Sequence, residues 1–345
     1  MTNRLQYLDT LKGIAILCIV LLHYEDGIFP QELNLVIGLF MITAFYVSCG
    51  IIHLLKDEEV NLAKIAKKRF KQLMIPYFWF SVLIIGFDSL LCICHEKEVI
   101  HLAKEIYYTF TLRGIGTLWF LPVLFLSELS FILLKKHRWV KYIALILCVL
   151  GVAFCDNILQ DIWTSQEIKT VCIRAFVLTV MRICQAILII NSTWWVECNW
   201  TRKIKENMNL RATIGITIFS VGVIFSITNF TTIFYLNSIL CLIVSFLLPY
   251  GIALFLSCFT LPQIKYGLQY WGKNSLIVMA THYSFLMQLC IIADKYLLNE
   301  GGHETLYGWN SLAFFGLTLI VEIPIIEFIN THCSFLLGKS IVKQV

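Results

Sequence analysis

"DTLKGIAILCIVLLHYEDG", residues Asp9 to Gly27, is the stretch that decides the fold. From Gly13 to Leu22 it is an unbroken apolar run. With its flanks it is long enough to cross a bilayer as a helix, which takes about 20 residues. It is apolar on every side, unlike the one-faced helix of a soluble core. Lys12 and His23 bracket the run, eleven positions apart. At 100° per residue that separation is about 20° from a shared face, and about 16 Å along the axis. Asp9 stands three residues before Lys12, within pairing reach. Ionisable groups in hydrocarbon are costly, so each is a functional candidate. Each also has a plain reading. Lys12 can snorkel to the boundary, and His23 sits beside Glu25 and Asp26, where the run ends. The shared face points both into one cavity, lysine towards one end and histidine towards the other.

The rest of the 345-residue chain repeats the pattern. It is 59% hydrophobic and 14% charged, with mean hydropathy +0.78. A soluble domain is about a quarter charged, so a polytopic membrane protein is indicated. About ten spans are expected, at residues 9–29, 33–55, 73–94, 117–134, 139–155, 170–192, 210–229, 232–259, 274–296 and 309–336. The fifth is short, and residues 193–200 can extend the sixth. Segment 96–112 carries Glu98, His101 and Glu105 at helical spacing and reads as an amphipathic surface helix. Ten spans distribute the loop charges unevenly, with 20 Lys and Arg on the side holding both termini and 5 on the other. The basic side is cytoplasmic. The expected fold is therefore all-α and polytopic, with both termini cytoplasmic and one domain over residues 1–345. The net charge of +5 lies in the loops, so it is a topology signal and not a nucleic-acid footprint. The 13 cysteines show neither disulfide nor metal-ligand spacing. No small-residue cleavage site follows the first run, so a removed signal peptide is not expected.

Further ionisable residues fall inside the spans. Arg174 and Arg182 lie eight residues apart in the sixth, where Glu128, Glu322, Glu327 and Asp88 are candidate counter-charges. His282 lies in the ninth. Each has a structural reading as an interhelical pair or a core histidine. "KKRFKQLMIPYF", Lys67–Phe78, leads into the third span. It is a topology signal that also suits anionic lipid or a phosphorylated ligand on the cytoplasmic side.

Four ordered blocks carry a family resemblance: "RLQYLDTLKGIAILCIVLLHY", "KKRFKQLMIPYFWF", "GIGTLWFLPVLFLSEL" and "YWGKNSLIVMATHYSF", the last followed by "EIPIIEFINTHCSFLLGK". They run from residue 4 to residue 339. The chain resembles the integral-membrane acyltransferase family 3 proteins, in the branch of fucose O-acetylases and polysaccharide O-acetyltransferases. That resemblance implies transfer of an acyl group, usually acetyl, from cytoplasmic acetyl-CoA to a hydroxyl of a cell-surface sugar or its lipid-linked precursor. It implies His23 as general base, with Lys12 stabilising negative charge and Asp9 beside it. Arg69, Lys68, Lys71 and Tyr77 would bind the donor. Trp119, His282, Glu128, Arg182 and Arg174 would line the acceptor side. No metal is implied, because the thioester is already activated. Many relatives carry arginine where this chain has Lys12, and the sixth span, "VMRICQAILIINSTWW", departs from the usual apolar run. Expected partners are acyl-CoA, a saccharide acceptor and the lipid bilayer of the cytoplasmic membrane, with no nucleic acid. Oligomeric state stays open, a homo-oligomer included. The alternatives are a saccharide or anion transporter, which would have pseudo-symmetric halves and broken helices, and a membrane scaffold with structural ion pairs.

Overall fold

The computed structural model describes residues 6–25, 27–55, 62–164, 167–201, 207–228, 238–258, 262–298 and 308–339. Arg4, Lys56, Arg202, Lys203, Lys205 and Lys343, which enter the loop-charge count, lie outside them. The described residues hold ten helices long and apolar enough to cross a membrane, and no strand. Hydrocarbon offers no water to backbone groups, and the helix satisfies them within one segment.

In chain order the elements begin with α1 (Gln6–Tyr24), α2 (Gln31–Met41) and α3 (Thr43–Leu55). α4 (Leu62–Arg69) runs through a π turn at Phe70–Met74 into α5 (Ile75–Ile93). α6 (Val99–Phe110) follows, then a 3₁₀ turn at Gly116–Trp119 that opens α7 (Phe120–Lys136). α8 (Arg138–Ile162), α9 (Ile168–Asn199), α10 (Met208–Thr228), α11 (Ser238–Cys258) and α12 (Pro262–Lys273) come next. α13 (Ser275–Thr281) passes through a π turn at His282–Met287 into α14 (Gln288–Ala293), and α15 (Gly308–His332) closes the set.

Two boundaries differ from the sequence reading. The fifth span does not stop at residue 155: α8 continues to Ile162. Asp156 and Asp161 end the apolar run, but Cys155 and Leu159 are buried against Val177 and Leu178 of α9 and carry the helix on. The basic segment before the third span is helix, because α4 begins at Leu62 and is continuous with α5. Lysine and arginine are good helix formers, so charge alone does not mark a loop. The amphipathic helix expected over 96–112 is α6, and the sixth span does extend, to Asn199. On α8 the apolar residues Trp139, Ile143, Leu147, Leu150 and Phe154 are exposed along one stripe. An apolar face turned outward suits lipid as the surrounding solvent.

The chain forms two compact units. The first comprises Met1–Glu58, Leu188–Val278 and Glu304–Gly316, and the second Glu59–Ile187, Met279–His303 and Leu317–Val345. In the first, α1 packs on α12 and α2, and α10 packs on α11. In the second, α5 packs on α6, and α7 packs on α4, on α8 and on the π turn at Phe70–Met74.

Candidate active site

The first unit holds Asp9, Lys12 and His23, all on α1. Asp9 is buried, and its Oδ1 lies 3.1 Å from Lys12 Nζ. One helical turn brings them together, as the spacing predicts. Their position is fixed by a close crossing of α1 and α12. A Cβ at Gly13 would stand 1.9 Å from the Leu268 carbonyl oxygen, and one at Gly272 would stand 1.8 Å from the Asp9 carbonyl oxygen. The two backbones touch where each helix has no side chain, as small residues allow at membrane helix crossings. The glycines of "LKG" and "YWGK" therefore set the depth of the Asp9–Lys12 pair.

His23 is half-buried in the last turn of α1, with Nδ1 2.7 Å from the Ile19 carbonyl oxygen. A carbonyl oxygen only accepts, so Nδ1 is the protonated nitrogen. The neutral ring then carries its lone pair on Nε2. Glu25 has another task. Its Oε1 accepts from the Phe29 N–H at 2.8 Å and its Oε2 from Asn34 Nδ2 at 2.7 Å, closing the turn between α1 and α2. Asp26 lies outside the described residues.

The second unit holds the other candidates. Arg69 Nε lies 2.7 Å from Glu128 Oε2, and Glu128 is fully buried on α7. Arg69 Nη1 also donates to Gln72 Oε1 at 3.2 Å. Glu128, expected near Arg182, is thus an ion-pair partner of Arg69. Lys68 and Lys71 are exposed. Tyr77 is fully buried, and its hydroxyl donates to the Thr109 carbonyl oxygen at 2.8 Å at the end of α6. It caps that helix, which takes its hydroxyl out of the set offered to a donor. The Arg182 guanidinium carbon lies 3.7 Å from the Trp119 ring centroid, a cation–π stack between the sixth span and the 3₁₀ turn that opens α7. His282 is fully buried at the start of a π turn, a local widening common at functional sites. Beside it, the Thr281 hydroxyl donates to Glu322 Oε1 at 2.7 Å, and Glu322 is fully buried. The Thr117 hydroxyl donates to the Met279 carbonyl oxygen. Two of the quoted blocks are thereby joined directly. Arg174 stands over Trp163, its guanidinium carbon 6.0 Å from the ring centroid.

Thus Asp9 and Lys12 pair in their own unit, with His23 at the other end of the same helix. Arg69 with Glu128, and Trp119 with Arg182, form clusters in the other. Sequence reasoning named Asp88 and Glu105 separately and did not join them through Lys97. Asp88 Oδ2 lies 2.8 Å from Lys97 Nζ, and Glu105 Oε1 lies 3.9 Å from the same nitrogen. An acid late in the third span, followed by an amphipathic helix carrying another, was the available signal.

The model of the acyltransferase domain of the acyltransferase 3 family matches residues 5–327. The chain belongs to the acyltransferase 3 family. It is a multi-pass membrane acyltransferase. No curated protein and no solved structure matches it. Within this acyltransferase the match takes in Asp9, Lys12, His23, the Arg69–Glu128 pair, the Arg182–Trp119 stack and His282.

Proposed function

We propose that this acyltransferase moves an acetyl or other short acyl group from acyl-CoA to a hydroxyl of a cell-surface saccharide or its lipid-linked precursor, in the cytoplasmic membrane with both termini cytoplasmic. The observation that carries the reading is the tautomer of His23, fixed with its lone pair on Nε2 by the Ile19 carbonyl. That nitrogen takes the proton from the acceptor hydroxyl as its oxygen attacks the thioester carbonyl. The tetrahedral intermediate collapses, the C–S bond breaks, and the imidazolium returns the proton to the CoA thiolate. The products are an ester and free CoA. Lys12 and His23 stand about 16 Å apart along one helix, too far to act on one carbonyl. This spacing suits a donor lying along α1, its anionic end at Lys12 and its thioester at His23. Lys12 then holds charge on the donor, and Asp9 keeps the ammonium in place. Lys68 and Lys71 are exposed and present a cationic surface within their own unit.

The test is release of CoA from acetyl-CoA by nanodisc-embedded protein, with and without saccharide acceptors. Acceptor-dependent release should fall by at least 100-fold in His23→Ala, in line with the loss of a general base. Lys12→Ala should raise the KM for acetyl-CoA more than it lowers kcat. Undiminished turnover in His23→Ala would remove the base from the mechanism and direct attention to His282.

A further inference from the structure

The acyl-transfer steps make no use of α6, whose two faces have opposite chemistry. At 100° per residue, His101, Lys104, Glu105 and Tyr108 fall within an arc of about 100° on this helix. All four line a cavity of about 340 Å³ in the second unit. Asp88 of α5, Lys97 from the connection between α5 and α6, and Tyr283 of the π turn at His282–Met287 line it too. Val99, Ile100, Ile106, Tyr107 and Phe110 occupy the opposite arc of α6, and all five are exposed. An apolar helix face turned outward suits lipid, as on α8. The helix is therefore a partition, with a polar cavity on one side and an apolar surround on the other.

The ends of the partition are tied down by contacts that need no shared proton. Near its C-terminus the Tyr77 hydroxyl donates to the Thr109 carbonyl oxygen at 2.8 Å. Ahead of its first turn Glu96 accepts from Lys295 Nζ at 3.0 Å and from the Tyr296 hydroxyl. The middle is held differently. The Asp88 and Glu105 carboxyl groups share a hydrogen bond. A carboxylate only accepts, so that bond exists only while one of the two carries a proton. Lys97 Nζ lies 2.8 Å from Asp88 Oδ2 and 3.9 Å from Glu105 Oε1. The ion pair is therefore Asp88–Lys97, and the proton sits on Glu105. Burial, and then Asp88, push the Glu105 carboxyl up to about 8, with Lys97 opposing. The other ionisable groups around it are His101, Lys104 and Tyr108 of α6 and Tyr283 of the π turn, with Arg113 over the Tyr108 ring. Loss of the proton would set two carboxylates side by side with one ammonium between them, and like charges at that range repel.

We propose that α6 is a proton-latched wall of this cavity: protonated Glu105, donating to Asp88, holds the helix docked on α5, and loss of the proton releases its middle and opens the cavity. The docked helix binds the proton more tightly than the released one, in which Glu105 is solvated. Docking is therefore favoured at low pH and lost as pH rises through about 8. The latch rests on neither the donor nor the acceptor reading, and it needs no substrate to operate.

The experiment is hydrogen–deuterium exchange on the full chain in nanodiscs, read by mass spectrometry as protection factors, which remove the intrinsic pH dependence of exchange. From about pH 6 to about pH 9, protection of α6 should fall by about 10-fold or more, while that of α7 stays constant. Glu105→Gln can donate to Asp88 at every pH and should keep α6 protected throughout. Glu105→Ala lacks the latch and should leave α6 poorly protected at both ends of the range. If Glu105→Ala misfolds, Glu105→Gln alone decides the matter. His101→Gln is the control, because histidine is the other side chain in the cavity whose charge can change near neutral pH; it should retain the wild-type loss. The proposal is overturned by any of four results: wild-type α6 protection indifferent to pH, a loss in Glu105→Gln equal to that of wild type, a loss that His101→Gln abolishes, or an equal loss in α7, which would report loosening of the whole unit.

Discussion

Replacing Gly272 by alanine tests whether the α1–α12 crossing places the Asp9–Lys12 pair. The new methyl carbon would stand 1.8 Å from the Asp9 carbonyl oxygen and 2.9 Å from the Gly13 nitrogen, whereas ordinary contact begins at 3.4 Å. The obstacle is backbone, which cannot rotate away. Relieving the shorter contact means moving the helices apart by 1.6 Å, the difference between 3.4 and 1.8 Å. Overpacking of this kind costs roughly 1–3 kcal/mol. A displacement of about 1 Å at a positioned group costs on the order of 100-fold in rate. Gly272→Ala should therefore lower the unfolding midpoint and cut acyl transfer by about two orders of magnitude. Gly267 provides the matched control, because it lies on the same helix and a Cβ there meets nothing within 4 Å. Gly267→Ala should keep full activity and gain about 0.5–1 kcal/mol from the better helix former. Thermal unfolding in detergent, followed by tryptophan fluorescence, and CoA release provide the two readouts. Indistinguishable behaviour of the two variants would refute the idea that the crossing sets the site.

Two other perturbations read the second unit. Glu128→Ala strands Arg69 and should cost about 3–5 kcal/mol, while Glu128→Ala with Arg69→Met should recover much of it; equal destabilisation by single and double variants in thermal unfolding would show that the pair is not coupled. Burial, and then Asp88 beside it, push the Glu105 carboxyl up to about 8, with Lys97 opposing; His101 and Lys104 line the same cavity. The folded protein thus holds this proton more tightly than the unfolded chain. Stability should fall as pH rises from the ordinary carboxylate range through about 8, and a flat midpoint between pH 6 and 9, or one unchanged by Glu105→Gln, would contradict this.

The ten spans were legible because bilayer thickness demands long apolar runs, and nothing else in a chain of this size produces so many. The Asp9–Lys12 pair was legible because it is local: one helical turn relates the two residues. Partners between helices were not. A charge within a span announces that it needs company without saying whose, and Arg69 pairs with Glu128 from a helix that the sequence treated as loop. Tyr77 looked like part of a cationic landing site because it follows the basic run. Only the packing of α5 on α6 shows its hydroxyl engaged by a distant carbonyl. The end of α8 was missed because polar residues stop an apolar run before tertiary contacts stop a helix.

The π turn at His282–Met287 fits an additional residue into a helix without ending it. In a regular helix each residue advances the azimuth by 100°, so this turn acts as a phase offset between α13 and α14. Deleting one residue between Tyr283 and Met287 would leave an apolar segment still long enough to span a bilayer. It would nevertheless swing Thr281 and His282 about a quarter-turn or more relative to α14, separating Thr281 from Glu322. Length changes are ordinarily absorbed by loops. Here a span that looks uniform by hydropathy has a fixed residue count, and a one-residue deletion would break the Thr281–Glu322 hydrogen bond while leaving the hydropathy profile intact.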